Sequence, residues 1–425
     1  MIEQQSNLSS PTIPELLAPA GNYEKLVTAV HYGADAVYLG GRDFSLRAKA
    51  GNFALEAMQA GIDYAHKRGV KVYVTVNIFA HNQDLQGLAE YLPKLAARGV
   101  DGIIVADPGV LALARSLVPE LAIHLSTQAN VTNAESAAFW LSQGVQRLNL
   151  ARELSFAEIQ GIRTQVDGEL EVFVHGALCI SYSGRCLLSN YLTGRDANQG
   201  SCAHPCRFSY SLVEEKRPGE FFPVEEDDRG TYIFNSKDLC LLDKLPLLVA
   251  AGVNSLKIEG RMKSIFYVGS VVRLYRTALD FLRTLPAEEW LEPEKICLPE
   301  GFFAEASRIG TRGMTENFFA ERPGSSEMIY RTSRAEQGYE PVAVVHETGT
   351  RLVVEMRNTT HCGETIECMS TQNIECIRTK IVGFTDLDGN SVDKAHPGNM
   401  LVVTTQPALE NVREHTILRR KKRGD

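Results

Sequence analysis

From residue 14 onward, short runs of β-branched and aliphatic residues alternate with longer stretches whose apolar positions recur every three or four residues. The short runs at Glu15–Pro19, Ala36–Gly40, Val72–Val76, Gly102–Ala106, Ile123–Ser126, Arg147–Leu150, Leu170–Val174 and Ser255–Glu259 predict eight strands. The phrases HYGADAV, AARGVDGI, LSQGVQRL and VAAGVNSL each set a glycine behind a helical stretch, where a left-handed cap ends the helix before the next strand. Strands and helices in strict alternation predict α/β architecture with parallel strands. A closed (β/α)8, TIM-like barrel suits eight such units better than an open doubly wound sheet, because no glycine-rich dinucleotide fingerprint follows the first strand.

The pattern breaks twice. Between the seventh and eighth strands lie roughly 75 residues, far beyond an ordinary connection, and such long loops are usually functional. This insertion, 175–234, contains the apolar runs Phe208–Val213 and Thr231–Phe234, which predict a small β-meander. The barrel therefore covers 14–284, after a flexible start at 1–13, and a helical, proline-spaced connector follows at 285–335. From 336 to 418 the runs VAVVHE, RLVVEM, TIECMS, KIVGFT and NMLVVTT, parted by Gly and Asp turns, predict a small all-β barrel domain. The last residues, 419–425, carry Arg419-Arg420-Lys421-Lys422-Arg423 and read as a basic tail, either solvated or in contact with phosphates.

Composition narrows the classes. A charged fraction of 23% and a hydrophobic fraction of 44% are those of a folded globular chain, and 425 residues exceed what one core usually serves. The net charge of −8 argues against indiscriminate nucleic-acid binding and leaves room for a specific RNA partner. The N-terminal MIEQQSNLSSPTIPE has neither the basic start nor the apolar centre of a signal peptide, so the expected compartment is the cytoplasm. In that reducing setting nine cysteines are not a disulfide framework, and a cluster of them points to a metal or a reactive thiol.

Such a cluster exists. The run HGALCISYSGRC leaves the seventh strand, and GSCAHPC follows, giving Cys179, Cys186, Cys202 and Cys206 in a C-x6-C-x15-C-x3-C pattern. Residues just past a barrel strand line the active face, and glycine and proline beside the cysteines let the backbone wrap tightly round a small inorganic centre. The spacing alone leaves zinc and an iron–sulfur cluster open. Cys240, on a helical apolar pattern, and Cys297, Cys362, Cys368 and Cys376 read as packing residues.

Strand ends supply the other candidates. His175, Glu259, Asn77 and Gln128 are candidate catalytic groups, and Arg47, Lys257, Arg261 and Lys237 candidate donors to a carboxylate or phosphate. For Lys257 and Arg261 the neighbouring Glu259 provides the bland alternative, an internal ion pair. His81, Asp107, Asn130, Arg152, Glu153 and Asn235 occupy similar positions.

The stretch EVFVHGALCISYSGRCLLS resembles the signature of the peptidase U32 family, and so do ELLAPAGNYEKLVTAVHYGADAVYLGG, VNIFAHN, ADPGVL, HLSTQANVTN, ARELSFAEI, RDANQGSCAHPCR, YIFNSKDLCLL and SLKIEGRMKS. Together these span nearly all of the barrel. The resemblance, strongest to the tRNA-hydroxylating branch, implies a [4Fe-4S] cluster on Cys179, Cys186, Cys202 and Cys206. It also implies oxygen-independent hydroxylation of a tRNA wobble uridine with prephenate, an anionic metabolite, as co-substrate. Two other classes compete. A peptidase would need an HExxH motif, which the sequence lacks, or a Cys/His pair, for which Cys179 with His175 is the close candidate. A binding protein would use zinc to hold the long loop.

Overall fold

Eight parallel strands close on themselves: β1 (Glu15–Pro19), β2 (Ala36–Gly40), β3 (Lys71–Val76), β4 (Gly102–Val105), β5 (Ala122–Leu125), β6 (Arg147–Asn149), β7 (Glu169–Ala177) and β8 (Ser255–Ile258). In this computed structural model β8 pairs in parallel with both β1 and β7, which makes the sheet a barrel and excludes the open alternative. The residues described are 10–45, 52–179, 181, 185–207, 211–212, 222–223, 235–310, 313–320, 328–329 and 337–422. Arg47, the run Thr231–Phe234 and residues 1–9 lie outside them. Of the expected meander, Ser211–Leu212 pairs antiparallel with Phe222–Pro223.

Strand alternation decides what faces where. Leu16, Ala18, Val37, Leu39, Val72 and Val74 pack outward against the helices, while Leu17, Tyr38, Tyr73 and Ile104 form a separate cluster inside the barrel. The helices of the barrel wall are α1 (Tyr23–His31), α2 (Leu55–His66), α3 (Asn82–Ala97), α4 (Pro108–Leu117), α5 (Ala134–Ser142), α6 (Phe156–Arg163), α7 (Leu245–Ala250) and α8 (Ile265–Arg283). Gly33, Gly99, Gly144 and Gly252 all have positive φ where a helix turns into the next strand, as their positions predict. Among the described residues no helix is long and apolar enough to cross a membrane.

The lower barrel interior holds buried charge. Arg147 binds Glu15 at 2.5 Å and Glu169 at 2.7 Å, and its guanidinium lies 3.6 Å from Glu171. Glu171 in turn accepts from Lys257 at 2.7 Å and from Ser255 at 3.1 Å. Burial works against the Glu171 anion, yet the charges of Lys257 and Arg147 outweigh it and hold the carboxyl below its ordinary range. Lys257 thus pairs with Glu171, not with Glu259.

Two expectations are corrected outside the barrel. Cys240 does not lie on a helix: Asp238–Cys240 is a short strand antiparallel to the end of β7, and the helix starts only at Leu245. The second correction concerns the basic tail. The C-terminal domain is a closed barrel of β9 (Tyr339–Glu347), β10 (Val353–Met356), β11 (Thr365–Cys368), β12 (Ile377–Thr385), β13 (Met400–Gln406) and β14 (Ile417–Lys421), in the order β9-β10-β13-β12-β11-β14. Its last strand contains Arg419 and Arg420, both buried. Arg419 binds Glu305, on α9 (Glu300–Ala306) of the connector, at 2.5 and 2.8 Å, and Glu367 at 3.1 Å. Arg420 binds Glu340 at 2.8 Å and also pairs with Glu364. These arginines are internal structural groups, so they are neither a solvated terminus nor a surface for phosphates.

Candidate active site at the barrel mouth

The chain leaves β7 through Gly176, whose φ is +115° and whose missing Cβ would stand 2.2 Å from the carbonyl oxygen of Glu259. Only glycine lets the loop pass this close to β8. Beyond it the loop is tied back onto the barrel. Arg185 Nε donates to the Gln128 carbonyl at 3.0 Å, Phe79 N donates to the Asn198 carbonyl at 3.3 Å, and Gln199 donates to the Phe79 carbonyl. Asn198 also clamps Cys186, accepting from its N–H at 3.4 Å and donating to its carbonyl at 3.2 Å. Arg195 donates to the carbonyls of Ser201 and Cys202 at 3.0 and 3.1 Å, and Ser189 Oγ accepts from Ala203 N at 2.9 Å.

Held in this way, the loop roofs a half-open cavity of about 160 Å3 over the C-terminal ends of the strands. Cys179, Cys186, Cys202 and Cys206 all line it. None of the nine cysteines is in a disulfide. The backbone N–H of His204 donates to Cys202 Sγ at 3.4 Å, a bond that fixes where this sulfur points. His204 reaches that pose with φ of +59°. Four soft sulfur donors round one cavity suit an iron–sulfur centre or zinc by donor chemistry. Among the described residues, no three His, Cys, Asp or Glu side chains converge closely enough to hold a single ion.

The cavity wall has two chemically different arcs. One is cationic: Arg152, Lys257 and Arg261 line it, with Glu259 between the last two in sequence. Arg261 is buried and donates to Ser45 and Thr75, each at 2.9 Å, and Glu259 accepts from Tyr38 at 3.2 Å. Lys257 lies 4.8 Å from the centre of the Tyr38 ring. The other arc is made of amides at the ends of β3, β5 and β6: Asn77 donates to Gln128 Oε1 at 2.7 Å, and Asn149 stands beside them on the lining.

Asn77, Gln128, Glu259, Lys257 and Arg261 therefore share the cavity with the cysteines, and Lys237 and His175 do not line it. His175 needs a correction. Alternation along β7 would point it inward with Glu171 and Phe173. The β7–β8 register shifts between Lys257 and Ile258, so that Lys257 faces Phe173 while Ile258 faces His175. The bulge turns the imidazole outward, where Nδ1 lies 3.4 Å from the Tyr275 hydroxyl. The Cys179–His175 pair that a cysteine peptidase would need is not formed. Asp107 and His81 do not line the cavity and are the N-caps of α4 and α3. Asn149 is not among the expected site residues, although the sequence carries a signal: between outward-facing Leu148 and Leu150, a polar residue must point into the barrel.

Burial lowers the His175 pKa to about 4, with Asp238 partly opposing, and burial likewise pushes His124 down to about 3. Both are neutral in the fold but protonate in the unfolded chain below its ordinary value near 6.5. The unfolded state thus binds more protons as pH falls, and stability drops. Each group is expected to remove up to about 1.4 kcal/mol per pH unit between pH 6.5 and the folded value. Urea midpoints measured from pH 7 to 5 check this, and His175→Phe should flatten the slope.

The profile of peptidase family U32 matches residues 21–329, and that of the peptidase family U32 C-terminal domain matches 337–419. The chain belongs to peptidase family U32. Relatives within it bear names that concern RNA. The "tRNA hydroxylation protein P1" of Bacillus subtilis (strain 168) is 41% identical over 388 residues, covering 90% of each chain. The "tRNA hydroxylation protein P" of Escherichia coli (strain K12) is 43% identical over 307 residues, 63% of this chain and 68% of that one. The "23S rRNA 5-hydroxycytidine C2501 synthase" of the same strain is 36% identical over 319 residues, 75% of this chain and 44% of that one. The U32 match includes the whole cysteine loop and every cavity residue named above.

Proposed function

We propose that this U32 protein is an RNA-hydroxylating enzyme whose substrate is tRNA, adding a hydroxyl at C5 of the wobble uridine with a cluster on Cys179, Cys186, Cys202 and Cys206. The observation that carries the reading is the joining of four thiols, a cationic arc and an amide arc in one cavity, in a chain alike over 90% of its length to a protein named for tRNA hydroxylation. Replacing C5–H by C5–OH is a two-electron oxidation, so the base alone does not suffice. The oxygen and the electron balance require a further reactant.

Arg152, Lys257 and Arg261 favour an anion as that reactant, since a dicarboxylate leaving water needs fixed cationic donors. Prephenate fits this description. Lys257 is held by Glu171 from below, and Arg261 by Ser45 and Thr75, so neither cation has to be ordered when the anion arrives. Hydroxylation is a two-electron oxidation and zinc is redox-inert, so an iron–sulfur cluster suits four soft thiol donors at this cavity better. Such a cluster would supply redox or Lewis-acid chemistry beside the base. The protein's own part is to orient the two reactants and to exclude water.

Mass spectrometry of tRNA nucleosides from a strain lacking this gene tests the reading. Loss of 5-hydroxyuridine and its derivatives, restored by the wild-type gene, is expected. An unchanged nucleoside profile would refute it. Purified protein with Lys257→Met is expected to bind prephenate roughly ten- to a hundredfold more weakly, read by calorimetry.

A further inference from the structure

We infer that Gln128 and Asn149 read the Watson–Crick edge of the extruded pyrimidine, Gln128 donating to a base carbonyl and Asn149 accepting the N3 hydrogen. This rests on the function proposed above and names how the same cavity selects its base.

Each of these side chains is only 3% exposed and lines the cavity. Gln128 Nε2 and Asn149 Oδ1 are both buried and have no hydrogen-bond partner. Buried polar groups are nearly always satisfied, so two orphans in one cavity point to a ligand that satisfies them. The Gln128 orientation is fixed by its neighbours. Its Oε1 accepts from Asn77 at 2.7 Å and from Ser126 Oγ at 3.2 Å, which leaves Nε2 as the group offered to the cavity.

One donor and one acceptor, both neutral, match the edge of a neutral heterocycle. They belong to the same cavity as the cations that suit an anion, and neither carries charge itself. Uracil presents O4 as an acceptor and N3–H as a donor side by side. Cytosine in the same pose would set its amino group against the Gln128 amine and a bare N3 against the Asn149 oxygen, two mismatches. A pyrimidine ring fits, since a cavity of about 150 Å3 is known to hold a benzene ring and this one has about 160 Å3 and is open to solvent on one side, where the anion would extend. A base in a duplex or a stacked loop reaches such a pocket by flipping out, and is then held by its hydrogen-bonding edge.

The test uses full-length protein with its cluster and anticodon stem-loop RNAs that differ only in the target base: uridine, N3-methyluridine or cytidine. Wild type is expected to bind the uridine RNA roughly ten- to a hundredfold tighter than either analogue. Asn149→Ala should shrink the uridine over N3-methyluridine preference to within about threefold, because the acceptor for that hydrogen is gone. Gln128→Glu, nearly isosteric, should weaken uridine binding by a similar factor while the urea midpoint stays within reach of wild type. If wild type hydroxylates uridine in tRNA yet both variants keep the full preference, the inference is overturned and the proposed function stands. It is overturned in the same way if the variants alter only the affinity for prephenate. If wild type neither hydroxylates uridine nor prefers it, the function itself fails.

Discussion

Alanine at Cys202 is expected to strip the protein of most of its iron and sulfide and to lower hydroxylation by roughly a hundredfold or more. Loss of a group that merely orients a metal ligand already costs about ten- to a hundredfold, and a ligand itself should cost at least the upper end. Cys179, Cys186 and Cys206 should behave alike, because all four line one cavity and the loop that carries them is pinned at Phe79, Gln128 and Asn198. Cys240→Ala is the control. That thiol is half-buried beside Tyr275, 3.9 Å from its hydroxyl, and burial raises its pKa, so it is not disposed to ligate. Iron and sulfide assays on the five variants separate the two groups. A Cys202→Ala protein with full metal and full activity would remove that cysteine from the site.

Glu305→Ala is expected to destabilise the protein by about 3–5 kcal/mol, the range for removing one partner from a buried charge network. Its carboxylate joins Arg273 of α8 at 2.9 Å to Arg419 of β14 at 2.5 Å, and the side chains of both arginines are 0% exposed. Arg273 further donates to the carbonyls of Ser370 and Ile374, each at 2.6 Å, so the network joins the large barrel to the small one. Without Glu305 two guanidinium groups stay buried with their main counter-charge gone. Urea unfolding gives the magnitude, and hydrogen exchange in Ile417–Lys421 shows whether the small barrel loosens first. Glu347→Ala, which breaks an exposed pair with Arg351, should be silent by comparison. The network also has a pH sign. Burial disfavours the Glu305 anion, but its bonds and charges with Arg419 and Arg273 prevail and lower its pKa. Its stabilisation is therefore present above the unfolded carboxyl pKa and disappears as pH falls through the lower folded value.

The (β/α)8 barrel is legible in the sequence because each strand is a short apolar run between glycine-marked helix ends, and that local pattern is the one that packs. The gathering of the four cysteines at the mouth is legible because the loop that carries them leaves the end of a barrel strand. What the sequence hides depends on partners distant along the chain. Arg419 and Arg420 look like a solvated tail until Glu305, 114 residues from Arg419, and Glu367, 52 residues from it, draw the segment in as a sixth strand. His175 looks catalytic as long as alternation runs unbroken to the end of β7, and one bulge reverses its direction. The amide arc is half visible. Gln128 stands out in a polar stretch past a strand, whereas Asn149, the last residue of β6, is marked only by the apolar residues on either side of it and is fully distinguished by its buried oxygen without a partner.

Hydroxylation itself is measured by counting 5-hydroxyuridine per tRNA after anaerobic incubation of the cluster-loaded protein with unmodified tRNA and prephenate. Product that accumulates without molecular oxygen, and falls away when prephenate is omitted or Cys202 is alanine, is the expected result. An absence of product from fully loaded protein with both substrates present would contradict the assignment of this chain as a tRNA hydroxylase.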